Sequence, residues 1–224
     1  MMNVLYEDNH LLCVEKPANI PVCEDESRDY DLLSMAKDYI KEKYNKPGNV
    51  WLGLVHRLDR PVGGVVVFAR TSKAASRLSE SVRTHKLGKE YYAVLDGVMD
   101  QPEGTLTDYL KKNPKINMTS VCNASEGKKS TLHYQVIAVR SHRTLVRIRL
   151  ETGRSHQIRV QFASRNLPLV NDQRYHPHPS RGPIALYACR LMIPHPVKDE
   201  VINVFHAPPA CDPWLMFEDC YDSE

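Results

Sequence analysis

The segment Gly63-Gly64-Val65-Val66-Val67-Phe68-Ala69 leaves the chain little freedom. Three β-branched residues and an aromatic follow one another with no polar residue between them, the composition of a strand covered on both faces. The glycine pair before it is a turn signal. Immediately upstream stands Val55-His56-Arg57-Leu58-Asp59-Arg60-Pro61-Val62, which places one carboxylate, Asp59, in a turn at the mouth of a buried strand, between two basic residues. A loop carboxylate so placed can be a reactive group held ionised. Read alone, it is first a surface aspartate paired with Arg57 or Arg60 and supporting a turn.

The remaining pattern is strand-rich. Val4–Tyr6 and Leu11–Val14 read as a hairpin turned at Asp8-Asn9-His10 and ending at Lys16-Pro17. A helix is predicted from Asp31, with Leu32, Leu33, Ala36, Tyr39 and Ile40 at helical spacing, and another after the Thr71-Ser72 cap, with Ala75, Leu78 and Val82 on one face. Strands are predicted at Tyr91–Leu95 and Thr105–Leu110, and a polar, basic loop at 111–129. Leu132–Val139 and Thr144–Leu150 read as a hairpin, Arg154–Arg165 as a helix, and Ile184–Ile193 and Val201–Phe205 as late strands. The order is α+β, with a mixed, mainly antiparallel sheet.

A chain of 224 residues is enough for one sizeable core or two small subdomains. It holds no run of about 18 apolar residues, so no membrane span is expected. The first residues have no basic and apolar signal pattern, and a cytoplasmic location is expected. Six cysteines lie far apart with no C-x-x-C pair, which argues against structural zinc and against a disulfide framework.

Net charge is +3, but its distribution is uneven. Acids crowd both ends. Between Val139 and Arg165 there are seven arginines (140, 143, 147, 149, 154, 159 and 165) against one acid, Glu151. Arginine without lysine suits bidentate contact with phosphate or carboxylate; the competing reading is a solvated strand face. This stretch runs into a second motif, Glu151-Thr152-Gly153-Arg154-Ser155-His156-Gln157-Ile158-Arg159. An arginine beside a glycine turn at a helix start can hold a carboxylate from a distant loop, ionised and aimed.

On these motifs the chain resembles the RluA-type pseudouridine synthases, which isomerise uridine in ribosomal or transfer RNA. His56-Arg57-Leu58-Asp59 with Gly64 is similar to the family's H-R-L-D-x-x-T-S-G loop, Lys89-Glu90-Tyr91-Tyr92-Ala93 to its K-x-Y-x-A strand, and Glu151–Arg159 to its T-G-R-x-H-Q-I-R motif. Leu5-Tyr6-Glu7-Asp8, Val14-Glu15-Lys16-Pro17, Leu167–Asp172, His195-Pro196 and Ala207-Pro208 add to the likeness. Val62 and Gly63 depart from the family's Thr-Ser, which removes any hydroxyl contact from that loop but leaves the carboxylate.

The resemblance implies the pseudouridine-synthase catalytic fold: a central sheet flanked by helices with a catalytic cleft across it. It implies one catalytic domain over residues 1–224, with two subdomains around the cleft as a variant, and no separate N-terminal S4-type domain. It makes Asp59 the catalytic residue, Tyr91 the active-site tyrosine and Arg154 the partner that orients Asp59. Whether Asp59 attacks C1′ or works through a glycal stays open. The substrate uridine is flipped out of RNA, with Arg57 placed to fill the gap or to hold the flipped nucleotide's phosphate; Arg147, Arg149, His156 and Arg159 are expected to contact RNA, and the arginine face from Arg140 to Arg165 and the 111–129 loop to track its backbone. No cofactor and no metal are expected, and the protein is expected to be a monomer with RNA as its partner.

Two rival readings stand beside this one. An RNA-binding or assembly protein that has lost catalysis would keep the fold, yet Asp59, Tyr91 and Arg154 are all present. A metal-dependent hydrolase is prompted by His176, His178, His195 and His206, but prolines separate the first two and no carboxylate stands at a recognisable spacing.

Overall fold

The run that begins at Gly63 is a strand in which every residue is buried. The computed structural model describes residues 2–222, which form two units, 2–89 with 188–206 and 90–187 with 207–222. In chain order the elements are β1 (Val4–Glu7), β2 (Leu11–Lys16), α1 (Leu32–Lys43), β3 (Gly53–Leu54), β4 (Gly63–Ala69), α2 (Ser72–Arg83) and β5 (Gly88–Asp96). There follow β6 (Glu103–Asn113), β7 (Met118–Cys122), β8 (Lys128–Arg140), β9 (Arg143–Leu150), α3 (Gln157–Ala163), β10 (Leu186–Pro194), β11 (Val201–Phe205) and a short 3-10 helix, Leu215–Cys220. Strands dominate and helices are few, the expected α+β class.

In the first unit the strand order is β1-β2-β4-β10, with β11 on β10 and β3 on β4. Asp8 closes the opening hairpin: its carboxylate accepts from the backbone N–H of His10 and Leu11, both at 2.7 Å. His195 donates to the same carboxylate through Nε2 (2.8 Å), because its Nδ1 accepts from Val197 and Lys198. Burial alone would push Asp8 up, but these donors hold its pKa at about 2. One face of β4 (Val65, Val67, Ala69) packs with Leu11 and Cys13 of β2, with Ala74 and Leu78 of α2 and with Leu191, Ile193 and Val204. Val66 and Phe68, on the other face, are equally inaccessible, so the strand carries no alternation because neither face meets water. Both helices start where capping chemistry puts them, with Asp31 accepting from Ser34 N and Thr71 from Ala74 N.

In the second unit the order is β5-β9-β8-β6-β7, and the pairs are antiparallel. The β8–β9 hairpin turns at Ser141 and His142, both with positive φ (47° and 61°), as a two-residue hairpin loop requires. Register then sorts the side chains. Tyr91 lies opposite Ile148, which lies opposite Tyr134; Leu132, Ser130 and Lys128 follow on that face, and Lys128 lies opposite Leu110. Helix α3 covers this face: Phe162 meets the Tyr134 ring edge-on, and Gln161 donates to Asp108 at 2.7 Å.

Two expectations change. Residues 111–129 are not a loop: β6 runs on to Asn113 and pairs with β7 from Tyr109↔Cys122 to Asn113↔Met118. Lysine-rich composition hid the hairpin, because neither of its strands alternates apolar and polar residues cleanly. The helix expected from Arg154 begins only at Gln157, because His156 takes a left-handed conformation (φ 54°) and breaks the run before it.

Gly64 is the tightest glycine of the first unit. Its φ is +128°, and a Cβ there would lie 2.3 Å from the carbonyl oxygen and 2.5 Å from the backbone nitrogen of Ala188. Gly64→Ala is therefore expected to cost about 3 kcal/mol or more, whereas Gly153→Ala, with nothing within 4 Å of a new Cβ, should cost less than about 1 kcal/mol. Urea denaturation of the two variants beside the parent checks the contrast.

Candidate active site

The Asp59 turn is built from its backbone outward. Val62 N–H donates to Asp59 O at 2.9 Å, and Leu58 and Val62 are buried on either side of the turn. The carbonyl of Arg60 receives two donors, Asn19 N–H at 2.8 Å and Lys16 Nζ at 2.9 Å; Lys16 also donates to Pro17 O at 3.0 Å. Lys16 is wholly inaccessible. Burial lowers its pKa to about 7, with the Asp59 charge raising it and the Arg60 charge lowering it. The Arg60 guanidinium is turned to Ser27 (2.8 Å), Asp25 (3.4 Å) and Asp29. The acidic segment near the N-terminus is thus the anchor of Arg60, which explains that cluster without a ligand. Arg57 is exposed and Asp59 half-buried.

His56 is a structural member of the same loop. Where the short β3 ends, its Nε2 accepts the N–H of Val67 at 3.1 Å, so the proton sits on Nδ1. Burial, with the Lys89 charge adding to it, lowers its pKa to about 3, and the ring is neutral.

In the second unit Tyr91 is buried on the face that α3 covers. Arg154 is exposed, and its N–H donates to Gln157 Oε1 at 3.0 Å. Gln157 also accepts from Thr152 and donates to Thr131 O, so the turn carrying Arg154 is tied to β8. Arg154, Gly153 and Ser155 line a groove of about 470 Å³ together with Leu110, Lys111, Lys112, Thr119, Glu126 and Lys128.

The RNA contacts expected along the arginine run need correction. Arg147 and Arg149 lie opposite Tyr92 and Glu90 in the ladder, on the sheet face away from Tyr91. Arg147 is held there by Asp222 (2.9 Å) and Gln135 (2.9 Å). Arg140 pairs with Asp219, Arg143 with Asp212 and Arg165 with Asp108. Arg159 is buried, 3% exposed, and makes a two-pronged pair with the inaccessible Asp172 (2.8 and 2.7 Å), so it cannot follow a phosphate backbone. His156 is buried too, and its Nδ1 meets Tyr175 OH at 2.8 Å. Tyr175 OH donates to Thr119 O (3.1 Å) and accepts from Thr119 N (2.8 Å), which links the second motif to β7. Asp212, Asp219 and Asp222 carry no sequence signal that pairs them with these arginines, and Tyr175 gave none of its own; Lys16 stands in a motif of the likeness and Lys112 and Lys128 in the basic stretch 111–129, but their contacts were not legible there.

Three of the four histidines of the metal reading have rings beside carboxylates, and His178 contributes a backbone contact. His176 Nε2 meets Asp96, His178 N–H donates to His176 Nδ1, His195 donates to Asp8 and His206 lies 3.6 Å from Glu15.

Comparison with known proteins gives the class. The family model described as RNA pseudouridylate synthase matches residues 10–164, a span that includes Asp59, Tyr91 and Arg154. The chain belongs to this family. It is 33% identical over 213 residues to ribosomal large subunit pseudouridine synthase D of Yersinia pestis, covering 88% of this chain and 64% of that one. With the synthase D of Escherichia coli (strain K12) it is 31% identical over 223 residues, 92% of this chain and 67% of the relative. The chain thus spans about two thirds of the length of these curated relatives. Among solved structures it matches human RNA pseudouridylate synthase domain containing 4 with a TM-score of 0.78 at 20% identity, over 92% of this chain and 88% of that one. Helices among the described residues are too short and polar to cross a membrane.

Two predictions follow from the buried charges. Arg159→Met should cost about 3–5 kcal/mol by stranding Asp172 in the interior, measured as a fall in urea midpoint, with RNA affinity of the folded fraction retained. For Lys16, the folded pKa of about 7 lies below the unfolded value of about 10.4. The unfolded chain therefore binds more protons between them, and stability rises with pH across that window. The penalty for burying the charge is fullest below pH 7. The stability difference between the parent and Lys16→Met should shift in the parent's favour by about 2 kcal/mol or more from pH 7 to pH 9; a flat difference would mean that Lys16 titrates normally.

Proposed function

We propose that this chain isomerises uridine to pseudouridine in RNA, with Asp59 as the catalytic residue. The observation that carries the reading is the family match across a span in which all three motifs stand in order. The N1–C1′ bond of the uridine breaks, the detached uracil turns, and a C5–C1′ bond forms. C5 then loses its proton and N1 ends protonated, so the reaction conserves every atom. Asp59 opens the sequence, either by attacking C1′ or by taking a sugar proton to give a glycal.

Tyr91 stacks on the base and its phenol takes or relays the C5 proton. Arg154 supplies the positive charge that aims the Asp59 carboxylate. A base inside a stack offers none of these atoms, so the nucleotide is extruded first, and Arg57, exposed two residues before Asp59, occupies the space it leaves. The names of the relatives favour ribosomal RNA of the large subunit as the substrate class, with transfer RNA as the other candidate. A single catalytic domain acting as a monomer is the arrangement that goes with this reading.

Asp59→Asn keeps the side chain's shape and removes its reactivity. It should lower tritium release from [5-³H]uridine RNA by about 10³-fold or more while RNA binding stays within about 3-fold. Arg154→Ala should lower turnover with an unchanged urea midpoint. Appreciable turnover by the Asn variant would end the assignment of Asp59.

A further inference from the structure

The sequence points to two charged stretches: the arginine run is largely neutralised or turned away from Tyr91, whereas lysines at the two ends of 111–129 line a groove of the second unit. The groove beside Arg154 is lined by four cations, Lys111, Lys112, Lys128 and Arg154, against one carboxylate, Glu126, which lies 3.4 Å from Lys111 Nζ. Lys112 and Lys128 are exposed. Their position in the ladder is decisive. Lys128 lies opposite Leu110, and Lys112 is two residues beyond Leu110 on the same strand. Both therefore share the face that carries Tyr134 and Tyr91, the face on which α3 and the Arg154 turn are mounted.

No aromatic side chain lines the groove, so it has nothing on which a base could stack, while its ammonium groups suit phosphate oxygens. The β6–β7 hairpin that forms one wall is held in place. Thr119, opposite Lys112 in the ladder, is gripped at both its N–H and its carbonyl by Tyr175 OH, which His156 also meets.

We infer that Lys112 and Lys128, with Lys111 beside them, form a phosphate-binding groove that grips the RNA backbone on the Tyr91 face of the second unit. Tyr175 is the positioning residue that fixes the hairpin wall. The inference rests on the reading that this chain acts on RNA. The contact is to the backbone, so it contributes affinity without sequence preference.

The test compares two variants of equal charge. Lys112→Gln/Lys128→Gln empties the groove of two cations; Lys129→Gln/Arg149→Gln removes two from the opposite face. Affinity for unmodified, transcribed large-subunit ribosomal RNA is measured by filter binding across a salt series, with tritium release followed in parallel. The groove variant should bind about tenfold more weakly, with a salt slope smaller by about 1 for each lysine. Its KM should rise while kcat at saturating RNA stays within about threefold. The opposite-face variant should stay within about twofold of the parent. Equal losses in both variants, or an unchanged groove variant when the parent binds and modifies RNA, would overturn the groove alone. A parent chain that neither binds nor modifies the RNA would overturn the groove and the proposed function together. Tyr175→Phe, which keeps the ring and removes the hydroxyl, should raise KM with little change in kcat; a loss confined to kcat would refute the positioning role.

Discussion

The pleat of the β5-β9-β8-β6 ladder decides the chemistry of the second unit. Successive side chains must leave opposite faces, so fixing Tyr91 against Ile148 also fixes Glu90, Tyr92, Arg147 and Arg149 on the other side. A slip of one residue would exchange the two sets. Leu106, Leu110, Leu132 and Ile148 are buried, and turning them toward water would cost roughly 1.5–3 kcal/mol apiece. Apolar burial therefore holds Tyr91 on the α3 side and keeps Lys112 and Lys128 there with it.

The first unit meets a different constraint, since its reactive candidate stands on a turn. Backbone acceptors are fixed there by a lysine buried without a partnering carboxylate in hydrogen-bond contact: Lys16 spends its donors on the carbonyls of Pro17 and Arg60. A neutral acceptor pair satisfies an ammonium incompletely, which is why burial lowers the lysine so far. The cost is tolerable because one of these bonds ties the end of β2 to the Arg60 carbonyl, next to Asp59.

Much of this was legible from residues alone. The buried β4, the opening hairpin, both long helices and the Thr71 cap of the second follow from composition and spacing, and the motifs around Asp59, Tyr91 and Arg154 led to the right family. Partnership was not legible. Arg159 and Asp172 are thirteen residues apart, and nothing in either segment marks them as one buried pair. The alternation of Val146, Arg147, Ile148 and Arg149 correctly gave a two-faced strand, but one strand does not reveal which face its neighbours share with Tyr91. The lysine hairpin read as loop because its stability comes from pairing with β8 and from the Tyr175 contact, neither of which is local.

Asp212, Asp219 and Asp222 follow the last strand and turn back on the arginines of β8 and β9. Asp222 N–H also donates to the hydroxyl of the inaccessible Tyr92, whose ring Tyr221 meets at 5.2 Å. Residues 212–222 act as a built-in polyanion laid over the basic strands β8 and β9. Severing the chain ahead of Asp212 would bare Arg140, Arg143 and Arg147 together, and with them a surface able to adsorb any nucleic acid indiscriminately. The segment after β11 is thus the insulation that keeps Arg140, Arg143 and Arg147 from presenting one continuous positive strip.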